Sequence, residues 1–349
     1  MTDQLSLSGM PLPVFDAAIR QPAGVAPPRR PGSVRRTMTL DAIWPEGQRG
    51  LVHFFGDCRD CATTEPEAPP TLIAQSHIDA IVDDRVIRGI TAIPPHPHTD
   101  ALAGARAGGH LRARIAEVMP VEKAQAAPLY LMLDDMAGAT LVCRWAWEVN
   151  RHAPGSDYRR EALAPRSVME GVCIGFRPGS SALDALDAPE RSHNASRVGP
   201  LVDPADPPGW HALVDRGGVN YRRARRIDVW HADGLLHIDS GFQDSASIVD
   251  VNSPDFTGDG TRMAIHEYRI FATADLAAGR LSSLAAVPGT LPYAECRAAP
   301  TNITHLIGTP MEDLRDRVLE LLAKTAGCTH LNDMLRALAD VPALAARIA

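Results

Sequence analysis

From residue 34 onward, apolar positions recur in short alternating runs. Val34-Arg35-Arg36-Thr37-Met38-Thr39-Leu40-Asp41 places its apolar residues, Val34, Met38 and Leu40, on one parity, the period of a strand with one face in a core. Ile78 to Val82 and Val86 to Ile90 flank the polar pair Asp83-Asp84, which predicts a hairpin; Tyr268 to Thr273 and Arg280 to Ala285 flank Ala277-Ala278-Gly279 and predict another. Leu141-Val142-Cys143-Arg144-Trp145-Ala146-Trp147-Glu148 alternates as well and reads as a strand. Further on the period lengthens: Leu331, Met334, Leu335 and Leu338 have helical spacing, and Val341 to Ala349 continues in helical manner with Ala and Leu.

These runs repeat. Arg35-Arg36, three residues, Leu40-Asp41 and then Trp44 recur as Arg222-Arg223, three residues, Ile227-Asp228 and then Trp230. The two hairpins follow in the same order, each with a Pro behind it (Pro94, Pro288). Leu111-Arg112-Ala113-Arg114-Ile115 then matches Leu314-Arg315-Asp316-Arg317-Val318, and Asp134-Asp135-Met136 matches Asn332-Asp333-Met334. The expected fold class is α+β, an internal duplication of a unit with antiparallel strands followed by helices. The expected boundaries are an extended arm over 1–33, a first, degenerate copy over 34–140, a connecting segment with a Gly-rich loop over 141–215, and a second copy over 216–349.

The copies differ in chemistry. Where the second has Cys328, Thr329 and His330, the first has Tyr130, Leu131 and Met132; where the second has Cys296, the first has the thiol-free Pro95-His96-Pro97-His98. A single site in the second half, or at the seam, is therefore expected. Gly327, Cys328 and His330 open an apolar helical run, and a helix start favours a thiolate or another anion.

Three segments carry a resemblance. Arg222-Arg223 leading to Asp228, Ile265-His266-Glu267, and Pro292-Tyr293 through Cys296 to Gly327-Cys328-Thr329-His330-Leu331 together resemble an uncharacterised bacterial domain-of-unknown-function family, over about residues 220 to 340. That family implies kinship and no particular activity. The same half is distantly similar to iron–sulfur scaffold domains of the NifU type, a likeness that implies fold alone, because their closely spaced Gly-Cys pairs are missing.

Composition narrows the function classes. The chain has 349 residues, 45% of them apolar and 22% charged, enough for two cores of ordinary size. A net charge of −7 argues against a nucleic-acid binder. No apolar run reaches the roughly 18–20 residues of a membrane span. Met1 to Leu5 lacks the pattern of a secretion signal, and six Cys without a regular framework read as reduced thiols, so a cytoplasmic protein is expected, possible as a homodimer.

Several residues have the chemistry for a site. On an alternating strand His266 and Tyr268 share a face, giving a proton carrier and a hydrogen-bond donor; His330, Asp244 and Asp333 are the other acid/base candidates. Arg226, Arg177, Ser180 and Cys173 are candidates for substrate binding, the last three from the Gly-rich stretch Gly171 to Ser181, whose backbone N–H groups could cradle an anion. The bland readings are a hydrogen-bonded core His, a structural ion-pair network around Arg222 to Arg226, and a plain crossover loop. Nucleotide, flavin and serine-hydrolase motifs are absent. The expected function is a cofactor-independent lyase, of decarboxylase or retro-aldol type, acting on a small organic acid or an aromatic catabolic intermediate. The alternative is a metal- or iron–sulfur-binding accessory protein, with zinc or a cluster on Cys296, Cys328 and His330.

Overall fold

A computed structural model describes residues 25–157, 166–187, 194–198, 200–253, 255–258 and 260–348. Among the described residues nine strands form one antiparallel sheet: β1 (Ser33–Ile43), β2 (Val52–Thr63), β3 (Thr71–Asp83), β4 (Val86–Ile93), β5 (Ser196–Arg197), β6 (Asn220–Ala232), β7 (Leu235–Ser247), β8 (Arg262–Asp275) and β9 (Arg280–Pro288). Their order is β4-β3-β2-β1-β6-β7-β8-β5, and β9 also pairs with β8. Two meanders thus run outward from a central pair, β1 against β6. With the helices this is an α+β architecture.

The alternation in β1 and β6 puts one residue set against helices and the other under irregular segments. Val34, Arg36, Met38 and Leu40 share a face with Arg223, Arg225 and Ile227, and there the helices α1 (Gly109–Val118), α2 (Pro128–Val142), α3 (Leu314–Leu321) and α4 (Thr329–Ala337) contribute to the core. The opposite face carries Arg35, Thr37, Thr39 and Asp41, covered in part by Trp210 and His211. Both faces are buried, so β1 is buried almost throughout despite three charged residues.

Charge on these central strands is matched pairwise. Arg35 stands opposite Asp228 and grips it with two hydrogen bonds of 2.5 and 2.9 Å; Arg222 stands opposite Asp41 and does the same at 2.6 and 2.7 Å. On the helix side Arg36 holds both oxygens of Asp60 on β2, and Arg223 both oxygens of Asp244 on β7. The hairpins correspond in the same way. Gly104 donates to Ile87 O and Gly308 to Leu281 O, each at 2.8 Å, and each hairpin is followed by one isolated bridge, Val86 to Arg106 or Arg280 to Pro310.

Several expectations need correction or placing. Leu141 to Glu148 is not a strand: α2 continues to Val142, and Trp145–Glu148 is a helical turn. Trp145 and Trp147 are both buried, Trp147 against Trp44 with ring centroids 5.8 Å apart. A short apolar run enclosed on all sides does not separate the two periods. Of the expected arm, residues 1–24 lie outside the described residues, and β1 begins at Ser33. The expected halves share one sheet, with eleven residues of β1 in register with β6. Among the described residues no helix is long and apolar enough to cross a membrane.

Candidate active site

Three side chains on the helix-covered face converge. Asp244 on β7 and His266 on β8 are cross-strand partners, so their side chains leave the sheet side by side. His330 comes down from the first turn of α4. Its Nε2 lies 3.5 Å from Asp244 Oδ2, and His266 Nδ1 lies 4.0 Å from the same oxygen. The two imidazoles stack with centroids 3.5 Å apart and planes 16° from parallel. One ligand atom from each of the three residues falls within 4.8 Å of the others, a geometry able to hold a metal ion.

The local fold explains how each group is held. Asp244 is fixed by four contacts around its carboxylate: Tyr221 Oη donates to Oδ1 at 2.5 Å, Arg223 donates to both oxygens at 2.8 and 2.9 Å, and Oδ2 turns toward the imidazoles. Cys328 caps α4 in an extended conformation, with its Sγ 3.9 Å from His330 Nδ1. Gly327 just before it has φ −142°, an ordinary extended value, so conformational freedom is not what this glycine supplies. A Cβ there would come within 2.4 Å of Leu322 O and 2.8 Å of the Asn332 side chain; the glycine allows close approach.

Burial dominates the electrostatics. It pushes His330 well below the usual imidazole range, and Arg223, Arg225 and Arg112 push in the same direction, so the ring is neutral. Tyr268, on the same face of β8 two residues beyond His266, is fully buried and held far above the usual phenol range, first by burial and then by the neighbouring thiols. Its hydroxyl has no nitrogen or oxygen partner and lies beside the Cys328 thiol. Burial likewise raises Cys328 and Cys296, and raises Cys173 to about 12; all three are thiols at neutral pH.

The structure therefore unites part of the expected set. Asp244, His266 and His330 come together, with Tyr268 and Cys328 adjoining. Asp333 lies one turn along α4 and reaches the site only through Arg223 (3.3 Å), while its other oxygen accepts from Arg112 at 2.5 Å. Arg226 points to the opposite face of the sheet, where it is tied to Asp228 and Asp239 and lines a shallow hollow with Trp210, Gln243, Glu267 and Arg269. Cys173 and Gly175 approach Cys296 rather than the imidazoles, and Ile174 N–H donates to Gly327 O at 2.9 Å. Ser180 is wholly buried, and its N–H donates to Arg177 O at 3.0 Å. For the cysteine ligand set, only His330 belongs to the convergent group; Cys296 and Cys328 do not enter it.

Tyr221 is a residue of the site that sequence reasoning misses, and Arg223, read from the sequence as one of an arginine cluster, holds the carboxylate of the site itself. The signal was present in the repeat, because Arg36 and Arg223 occupy matching places and each holds an Asp on the next strand. A role for Gly138 was invisible. A Cβ on it would meet Arg223 Nη1 at 2.5 Å and Asp333 Oδ2 at 2.6 Å, so a bare backbone in the middle of α2 leaves room for the ion pair.

Residues 221–344 match the family model described as "Protein of unknown function (DUF2889)". That stretch contains Asp244, His266, Tyr268, Cys328 and His330 and ends near the C-terminus of the chain. No curated protein and no solved structure matches the chain.

Proposed function

We propose that Asp244, His266 and His330 bind one divalent transition-metal ion, and that the ion serves as the Lewis acid of a lyase acting on a small organic acid. The convergence of one carboxylate oxygen and two imidazole nitrogens within 4.8 Å carries the reading. Two imidazoles and one carboxylate make a ligand set suited to such ions, and neutral imidazole is the ligating form. Asp244 keeps Oδ2 toward the site while Arg223 and Tyr221 orient it, as supporting contacts do around metal ligands. A metal at this point would polarise a substrate carbonyl and stabilise the electron pair released on carbon–carbon cleavage. Tyr268, buried with its proton retained, is the candidate to return a proton to the carbon.

Metal analysis after purification in metal-replete medium tests the assignment. One equivalent per chain is expected, falling severalfold or more in His266→Gln and in His330→Gln. A folded wild-type protein that retains no zinc, iron, manganese or cobalt would overturn it. A second reading keeps the lyase free of cofactors. The stack favours it, because two rings with planes 16° from parallel aim their in-plane lone pairs along nearly parallel planes rather than at one ion. Activity insensitive to chelators would favour that reading. The cysteine-based accessory role is less well supported, since Cys296 and Cys328 stand outside the convergent set.

We also infer that the two meanders descend from one duplicated strand–helix unit. Support comes from the matched pairs Arg36–Asp60 and Arg223–Asp244, the reciprocal Arg35–Asp228 and Arg222–Asp41 bridges, and the equivalent hairpin closures. In the first unit Met132 packs over Gly56. A crystal structure in which the two halves fail to superpose through these pairs would remove the inference.

A further inference from the structure

The carboxylate of the triad belongs to a continuous ion-pair network beneath the helices. It runs from Arg347 and Asp60 through Asp340, Asp134 and Asp333 to Arg223 and Asp244. Counting every group joined to it, including Arg225 through Asp135, the network has seven guanidinium groups and six carboxylates. The charge of Asp244 is thus already answered before any metal arrives. The two remaining ligands are imidazoles, neutral when they ligate. A divalent ion bound here would leave uncompensated positive charge in a low-dielectric interior, which is strongly disfavoured.

Two further features point to what offsets part of that charge. Tyr268 presents a fully buried hydroxyl without a nitrogen or oxygen partner, two residues from His266 on the same face. The side chains of His266 and His330 keep 10% and 11% of their exposure, so the way in is narrow. Building on the metal reading, we propose that the site takes up its metal together with a small carboxylate anion, which completes the coordination through one oxygen and accepts a hydrogen bond from Tyr268. The substrate class follows. It is a short-chain organic acid that binds through its own carboxylate.

The experiment uses the full chain in chloride-free buffer, with Co2+ and Zn2+ as the metals and formate as the probe anion. Affinity is measured by competition with a chromophoric chelator, and proton release by calorimetry in buffers of different ionisation enthalpy. Formate should tighten metal binding by about tenfold or more, shift the visible bands of the Co2+ protein, and leave metal uptake without net proton release. Tyr268→Phe should keep the metal and lose most of the formate effect. Metal binding that ignores formate and releases one or two protons would overturn the proposal, since Cys328 or Tyr268 would then supply the missing charge, and it would leave the metal reading standing. Failure of the folded wild-type chain to bind either metal would overturn both.

Discussion

Arg223 holds Asp244 by both oxygens, at 2.8 and 2.9 Å, from the neighbouring strand and with no solvent exposure of either residue. It also lies 3.3 Å from Asp333 on α4. One guanidinium therefore joins the sheet, the helix and the candidate site.

Losing that guanidinium should be costly. Arg223→Met leaves two buried carboxylates short of a partner, and breaking such pairs one-sidedly costs roughly 3–5 kcal/mol. The urea midpoint should fall accordingly. Arg223→Lys keeps the charge and loses the fork, so a smaller fall is expected. Equal midpoints for wild type and Arg223→Met would mean that the pair does not bear on stability.

Gly138 gives a test at a distance from the reacting groups. In an exposed helix Gly→Ala would be stabilising by about 1 kcal/mol. Here the added methyl must displace Arg223 and Asp333, and overpacking of this kind costs about 1–3 kcal/mol. Gly138→Ala should therefore lower stability and weaken metal retention together. A rise in melting temperature would contradict the packing.

Gly327 is a parallel case on the backbone. Its virtual Cβ meets a carbonyl oxygen, Leu322 O, which cannot rotate away as a side chain can. Gly327→Ala should displace the start of α4, carrying Cys328 and His330 with it. Metal content should drop in this variant even where circular dichroism shows the overall fold retained.

The pH dependence of stability should reveal His211. Its two ring nitrogens lie 2.8 Å from Thr37 Oγ1 and from Thr39 Oγ1, under the face of β1 away from the helices. Burial above all, then Arg59 and Arg222, lowers it to about 3. Above the ordinary imidazole value of about 6.5 both folded and unfolded chains hold it neutral, and pH has no leverage through it. As pH falls below that value the unfolded chain gains a proton that the folded chain refuses, so stability declines toward pH 3, by on the order of 1 kcal/mol per pH unit. His330 acts with the same sign. Denaturant melts between pH 6.5 and 5 should show a shallower slope for His211→Gln than for wild type; an unchanged slope would place its titration elsewhere.

Much of the sheet could be read from the chain, because alternation is strong wherever a strand has two unlike neighbours. The pairs Ile78–Val82 with Val86–Ile90 and Tyr268–Thr273 with Arg280–Ala285 are the hairpins β3–β4 and β8–β9. His266 and Tyr268 share a face as parity requires, and Cys328 begins a helix. What pattern could not supply was which face meets which helix. Arg222, Arg223, Arg225 and Arg226 look alike in sequence, yet they divide between two sides of the sheet and find different carboxylates: Asp41, Asp244, Asp135 and Asp239. Arg226 was for that reason grouped with residues it does not meet. Trp145 and Trp147 misled in another way, because burial on all sides erases the contrast on which period depends.

The central pairing of β1 with β6 has a consequence for synthesis. On a ribosome β1 is complete at Ile43, while its partner begins only at Asn220. At about 5–20 residues per second the nascent first half waits roughly 10–35 s with eleven residues of main chain unanswered. During that interval it is a template for any other extended segment, and Arg35 and Asp41, whose partners Asp228 and Arg222 come with β6, are the charges that discourage hydrophobic newcomers from adding to it.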